Sequence, residues 1–144
     1  MIAVSPLAPA DRAEWEVLAR GYKAFYEDPV PDEDYDRTWA LLMAGGPVHG
    51  LGARVDGALV GIAHYMFHPH TWLGESCYLQ DLFTAGAARG RGVARTLIDA
   101  VADEARARGA AKYYWLTRDT NHQARALYDR LARFKGFLRY DYPL

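Results

Sequence analysis

Cysteine is almost missing from this chain. Cys77 is the only one in 144 residues, so no internal disulfide can form, and the count fits a reducing compartment. An excess of one charge is missing too: seventeen Lys plus Arg stand against eighteen Asp plus Glu, a net −1 with His neutral. That balance argues against a strongly basic nucleic-acid module. No apolar run is long enough to cross a bilayer, the longest weakly polar stretches, such as 58–67, being too short. Arg12 and Glu14 arrive too early for a secretory leader. The expectation is a cytoplasmic protein with neither a membrane nor a nucleic-acid partner. Five histidines are present, at 49, 64, 68, 70 and 122. None is spaced His-x-x-x-His and no paired thiolate accompanies them, so no metal site is expected.

Apolar residues make up 51% and charged residues 24%, an ordinary globular balance, and the length suits one domain over 1–144. Met1 to Ser5 reads as a strand stopped by Pro6. Pro9, Asp11 and Glu14 open a helix with apolar residues at Trp15, Leu18, Tyr22 and Phe25. A second helix is expected over about 32–43, ended by Gly45-Gly46-Pro47. Strands at 48–55 and 58–67 flank Asp56-Gly57, a two-residue hairpin turn, with His68-Pro69-His70 leading out. Ser76 to Thr84 is a further strand whose uneven apolar pattern implies a bulge or two-sided burial. After the loop 85–92, Val93, Leu97, Ile98, Val101 and Ala105 mark a helix closed by Gly109. A strand at 112–117, a helix opened by a Thr120/Gln123 capping box, and a last strand at 136–142 complete the order. The fold class is α/β (α+β), one sheet layered against helices.

The loop 85–92 carries the strongest chemical signal. A helix N-terminus presents unpaired N–H groups and the positive end of a dipole. Gly90 and Gly92 let the backbone approach an anion, Arg89, Arg91 and Arg95 add positive charge, and 82–98 holds no acid. No Gly-Lys-Ser/Thr follows, and a G-x-G-x-x-G fingerprint is incomplete, so neither common nucleotide loop is present. A solvated Arg/Gly turn capping a core helix is the bland alternative.

Arg89-Gly90-Arg91-Gly92-Val93-Ala94 fits Arg/Gln-x-x-Gly-x-Gly/Ala and resembles the acyl-coenzyme-A signature of the GNAT N-acetyltransferase superfamily. Asn121-x-x-Ala124-x-x-Leu127-Tyr128, with Gly136-Phe137 beyond, is similar to the segment flanking the pantetheine arm in that family. Tyr78 to Thr84 resembles the matching strand of the diamine acetyltransferases. Gly21-Tyr22, Phe25-Tyr26, Thr38-Trp39 and Leu131 to Phe137 resemble the yeast histone/polyamine acetyltransferase relatives. The element order is similar over nearly the whole chain. What the resemblance implies is an acyl-CoA N-acyltransferase fold, with a mixed central sheet splayed at the cofactor site and helices on both faces.

It also implies transfer of acetyl from acetyl-CoA directly to a primary amine. Carried over by position, backbone groups of Arg89, Gly90, Arg91, Gly92, Val93 and Ala94 receive the pyrophosphate, with the Arg89 and Arg91 side chains expected to reinforce them, and those of Leu82, Phe83 and Thr84 meet the pantetheine. One of these N–H groups would face the oxyanion. Asn121 would bond the pantetheine or an ordered water, or else simply open its helix. Tyr128 corresponds to the general acid near the sulfur, although a core aromatic beside Leu127 is the other reading. Diamine acetyltransferases carry Leu-Glu-Asp where this chain has Leu79-Gln80-Asp81. Gln80 cannot serve as a base, which leaves Asp81 on the substrate side or as a structural carboxylate.

The acids Glu27, Asp28, Asp32, Glu33, Asp34 and Asp36, with no Lys or Arg between them, form an expected negative rim for a small cationic amine or polyamine. A solvated helix start explains them equally well. A non-catalytic acyl-CoA-binding module and a protein lysine or N-terminal acetyltransferase are the competing functions. A homodimer through the C-terminal strands is expected from the relatives.

Overall fold

The computed structural model describes residues 1–144. Five strands, β1 (Ile2–Pro6), β2 (Val48–Val55), β3 (Ala58–His70), β4 (Gly74–Thr84) and β5 (Lys112–Tyr114), form one sheet in sequence order. All neighbours run antiparallel except the parallel pair β4–β5. Four helices cover it: α1 (Arg12–Phe25), α2 (Asp32–Met43), α3 (Val93–Arg108) and α4 (His122–Leu131).

Each face of the sheet has its own core. On one, Val93, Leu97, Ile98, Val101 and Ala105 of α3 meet Leu51, Ala53, Ala63, Tyr65, Cys77 and Leu79. On the other, Trp15, Leu18 and Ala19 of α1 and Tyr35 and Leu42 of α2 meet Leu59 and Ile62. Side chains alternate along a strand, so a central strand buried on both faces reads as nearly continuous hydrophobicity. Gly61 lets α3 come close. A Cβ there would lie 2.7 Å from Val93 Cγ1.

The uneven strand is explained by a bulge. Tyr65 pairs with Leu79 while His64 pairs with Asp81, leaving Gln80 extra. Cys77 and Leu79 therefore face α3, whereas Asp81 and Phe83 turn to the α1 side. Unbulged pairing would have put Asp81 beneath α3.

Four expectations about local structure are corrected. No strand forms at 136–142; residues 132–144 carry no regular element and expose Phe137, Tyr140 and Tyr142 by 83%, 88% and 86%. A strand needs a ladder partner, and β5 ends at Tyr114, not at 117, so it has too short an edge to provide one. His68-Pro69-His70 does not leave the hairpin but continues β3, paired with Gly74–Ser76. Finally, α4 is capped by Asn121, without a side-chain cap bond, so the Thr120/Gln123 box is not made.

Candidate active site

The sheet opens where the coenzyme is expected. β4 and β5 pair only from Ser76–Tyr78 to Lys112–Tyr114. Beyond Tyr78 the edge of β4 turned away from β3 has no partner strand, and a groove of about 410 Å3 lies there. Its walls are Leu82, Phe83 and Thr84 of β4, the loop and first turn of α3, Asn121, Ala124, Leu127 and Tyr128 of α4, and Phe25 and Tyr26 from the end of α1.

One end of the groove is an anion cradle. Gly90 and Gly92 have φ of 77° and 84°, a region that side chains with a Cβ rarely adopt. These turns leave the N–H groups from Gly90 through Arg95 without an acceptor in the protein. Converging N–H groups at the start of a helix of this length suit a phosphate. Arg89 reaches back to the Thr84 carbonyl at 3.4 Å and lies 5.7 Å from the ring centres of both Phe25 and Phe83. Arg91 differs. Set between two left-handed glycines, it does not line the groove and instead borders a separate hollow with Met1, Ile2, Val55 and Thr96.

Further along, Thr84 Oγ1 is buried with no hydrogen-bond partner, an unmet demand that a polar chain lying in the groove would satisfy. Asn121 Nδ2 donates to Thr117 Oγ1 at 3.0 Å. Tyr128 lines the groove with its ring edge-on to Trp115 at 5.4 Å. Burial, with a smaller contribution from Tyr26, pushes its hydroxyl up to about 12, so Tyr128 keeps its proton at neutral pH. The free N–H groups, the open strand edge and the orphaned hydroxyl suit the pyrophosphate and amide-rich arm of a coenzyme A thioester.

Asp81 lies on the α1 side of the sheet. Its Oδ2 is 2.9 Å from His64 Nδ1, and the Tyr22 hydroxyl stands near enough to act on the same carboxyl. His64 Nε2 in turn accepts from Trp15 Nε1 at 2.9 Å. Burial opposes the charge of Asp81, but His64, with smaller help from the Tyr22 hydroxyl and Lys23, outweighs it and holds the carboxyl below the usual range. Burial, then the neighbouring Asp81, keeps the Tyr22 hydroxyl protonated far above its ordinary value. Tyr22 and Tyr26 rings lie 4.9 Å apart, so aromatic residues connect this carboxylate with the coenzyme groove. Residue spacing revealed neither His64 nor Trp15, which are 49 positions apart. No short-range motif could have joined them.

The acidic segment is less negative than it reads. Asp28 pairs with Lys23, Asp32 with Arg20, Asp34 with Arg37 and Asp36 with Arg12. The cations come from the helices themselves, leaving Glu27 and Glu33 without ion-pair partners. No group of three or more His, Cys, Asp or Glu is arranged to hold a metal ion, and no helix is long and apolar enough to cross a membrane. Burial raises the Cys77 thiol to about 11, as befits a packing residue.

A sheet that parts beside a helix-start anion cradle defines an acyl-coenzyme-A-dependent acyltransferase. The family model described as acetyltransferase (GNAT) family matches residues 15–132, and the chain belongs to that family. It is similar to the D-amino-acid N-acetyltransferase HPA3 of Saccharomyces cerevisiae, 33% identical over 136 residues, spanning 91% of this chain and 84% of that one. With the thialysine N-epsilon-acetyltransferase of Mus musculus it shares 33% identity over 83% of this chain and 71% of the relative. A ribosomal-protein-alanine N-acetyltransferase from Brucella melitensis biovar Abortus 2308 superposes with a TM-score of 0.82 at 27% identity, over 100% of this chain and 99% of that one. The aminoglycoside enzyme AAC(6')-Iy, bound to a bisubstrate analog, matches at 0.88 over 100% and 98%, and its 17% identity speaks for the fold alone. The chain is an acetyl-CoA-dependent N-acetyltransferase.

Proposed function

We propose that this enzyme acetylates a small cationic primary amine by direct transfer. The main-chain N–H groups of Gly90–Arg95, with Arg89 beside them, hold the pyrophosphate. The open edge of Leu82–Thr84, Thr84 Oγ1 and Asn121 hold the pantetheine. Bound acetyl-CoA supplies a thioester, whose C–S bond breaks as the amine forms its C–N bond. A β4 N–H among residues 82–84 is the donor available to the carbonyl oxygen. Tyr128 delivers its phenolic proton to the leaving sulfur and is reprotonated by water, while the proton that the nitrogen sheds on becoming an amide passes to water. Asp81 receives the amine, and with its carboxyl held below the usual range it acts as an acceptor of hydrogen bonds more than as a proton store.

The observation that carries this reading is the groove that has free amides at one end and the protonated Tyr128 in its wall. A polyamine as acceptor finds less support than the bare sequence offered, because four acids of the expected rim are paired. The curated relatives named above act on D-amino acids and thialysine, so an amino-acid-like amine stands beside a diamine in our reading. The test is turnover of acetyl-CoA with a panel of D-amino acids, thialysine, diamines and an N-terminal alanine peptide, read as kcat/KM. A preference for the peptide would overturn the small-amine assignment. We also infer a cytoplasmic homodimer in which a second copy covers the exposed C-terminal aromatics. A monomer in light scattering at micromolar concentration would contradict it.

A further inference from the structure

The chain Trp15–His64–Asp81 has only one consistent direction. An indole N–H donates and never accepts. Its bond of 2.9 Å to His64 Nε2 therefore requires a lone pair on that nitrogen and places the ring proton on Nδ1. From there it points at Asp81 Oδ2, also at 2.9 Å. Trp15 is 1% exposed and His64 6%, and Trp15 is fixed in turn by Trp39, with ring centres 5.0 Å apart. The other groups acting on the Asp81 carboxyl are the Tyr22 hydroxyl and the Lys23 ammonium, both from α1. The inward end of this chain is closed, because beyond Nε2 stands a donor with no lone pair to take a proton onward.

We propose that His64, oriented by Trp15, is a positioning residue that fixes the Asp81 carboxylate as the anchor for the acceptor amine. It does not carry the proton of that amine inward. The inference rests on Asp81 serving the acceptor side, as proposed above. A carboxylate between β4 and α1 could otherwise rotate toward Tyr22 or Lys23. The Nδ1–H bond holds one oxygen and leaves the remaining lone pairs in a fixed direction.

Steady-state kinetics of four variants, each checked for folding by thermal melting, tests this. Asp81→Asn should raise the amine KM at least tenfold and leave the acetyl-CoA KM within twofold. His64→Asn keeps a donor near the position of Nδ1 and should retain an amine KM within about threefold of the parent. His64→Gln places its amide near Nε2 and should match the loss in Asp81→Asn. Trp15→Phe leaves the ring held from the Asp81 side alone and should raise the amine KM severalfold; in histidine-selective NMR the Nδ1–H form should persist, because the Asp81 carboxylate still accepts from it, while the Nε2 resonance shifts. An unchanged amine KM in Asp81→Asn would overturn the acceptor-side reading of that carboxylate, and this inference with it. A clear loss in Asp81→Asn combined with equal behaviour of His64→Asn and His64→Gln would sink the positioning role alone. An Nε2–H tautomer in the parent would do the same.

Discussion

The two halves of the site are built in opposite ways. On the proposed coenzyme side, consecutive residues 82–84 and 89–95 offer mainly main-chain groups, on a strand edge and a helix start. On the proposed acceptor side, Trp15, Tyr22, His64 and Asp81 come from α1, β3 and β4 and meet through side chains. Main-chain recognition tolerates change in side chains provided the backbone conformation survives. Side-chain recognition fails at single positions. This teaches why a cosubstrate site can persist in a fold while acceptors diverge: the acceptor wall is made of exchangeable parts.

The sharpest division should come from Tyr128→Phe. Loss of a general acid costs roughly 10²-fold or more in rate, so kcat should fall by about that factor with both KM values little moved. A large rise in acetyl-CoA KM instead would make Tyr128 a packing residue. Next is Gly92→Val. A β-branched residue is strained at a φ of 84°. The acetyl-CoA KM should rise about tenfold, reflecting roughly 1–3 kcal/mol of backbone strain, with the amine KM unchanged. A comparable loss for the amine would blur the division between the halves.

Acid should expose the side-chain half. Burial acts against the charges of Asp11 and Asp81, yet Arg54 and the Ala8 N–H beside the first, and His64 with the nearby Tyr22 hydroxyl beside the second, bring both carboxyls below the ordinary 3.8. The unfolded chain then binds more protons in acid. Their contribution to stability is complete above the unfolded value and is lost as pH falls through the folded values. Melting temperature should drop below about pH 4, less steeply in Asp11→Asn. In alkali, no falling limb of kcat near the ordinary tyrosine value of 10 should arise from Tyr128, whose hydroxyl titrates at about 12. The smallest effect belongs to Glu33→Gln. An exposed charge of this kind is worth roughly 0–1 kcal/mol, and the amine KM should change less than about threefold. A tenfold change would restore the acidic rim as a recognition element.

Much of the fold was legible because periodicity records burial. The stripe of α3, the Asp56-Gly57 hairpin and the double burial of β3 all follow from side-chain spacing. The bulge was legible as irregularity, but not as a device that moves Asp81 across the sheet. The Arg89–Ala94 loop was legible because its backbone is set by local glycines. The placement of Arg91 away from the groove was not, since the hollow it borders is built from Ile2, Val55 and Thr96, which are far apart in sequence. The C-terminal strand failed for a different reason: Phe137 to Tyr142 has the composition of a strand, and composition cannot supply a neighbour.

The order of residues alone determined the helix-start amides, the alternation that gives the sheet two buried faces, and the family pattern joining the loop to Tyr128. These depend on dihedral preferences and short-range spacing, which act within a few residues. Tertiary structure alone decided that Trp15, His64 and Asp81 meet, that Asp32 and Asp36 of α2 are paired by Arg20 and Arg12 of α1, and that β4 parts from β5 after Tyr78. Those outcomes are set by strand register and helix packing, which bring distant positions within hydrogen-bonding range, where an ångström determines whether a contact exists.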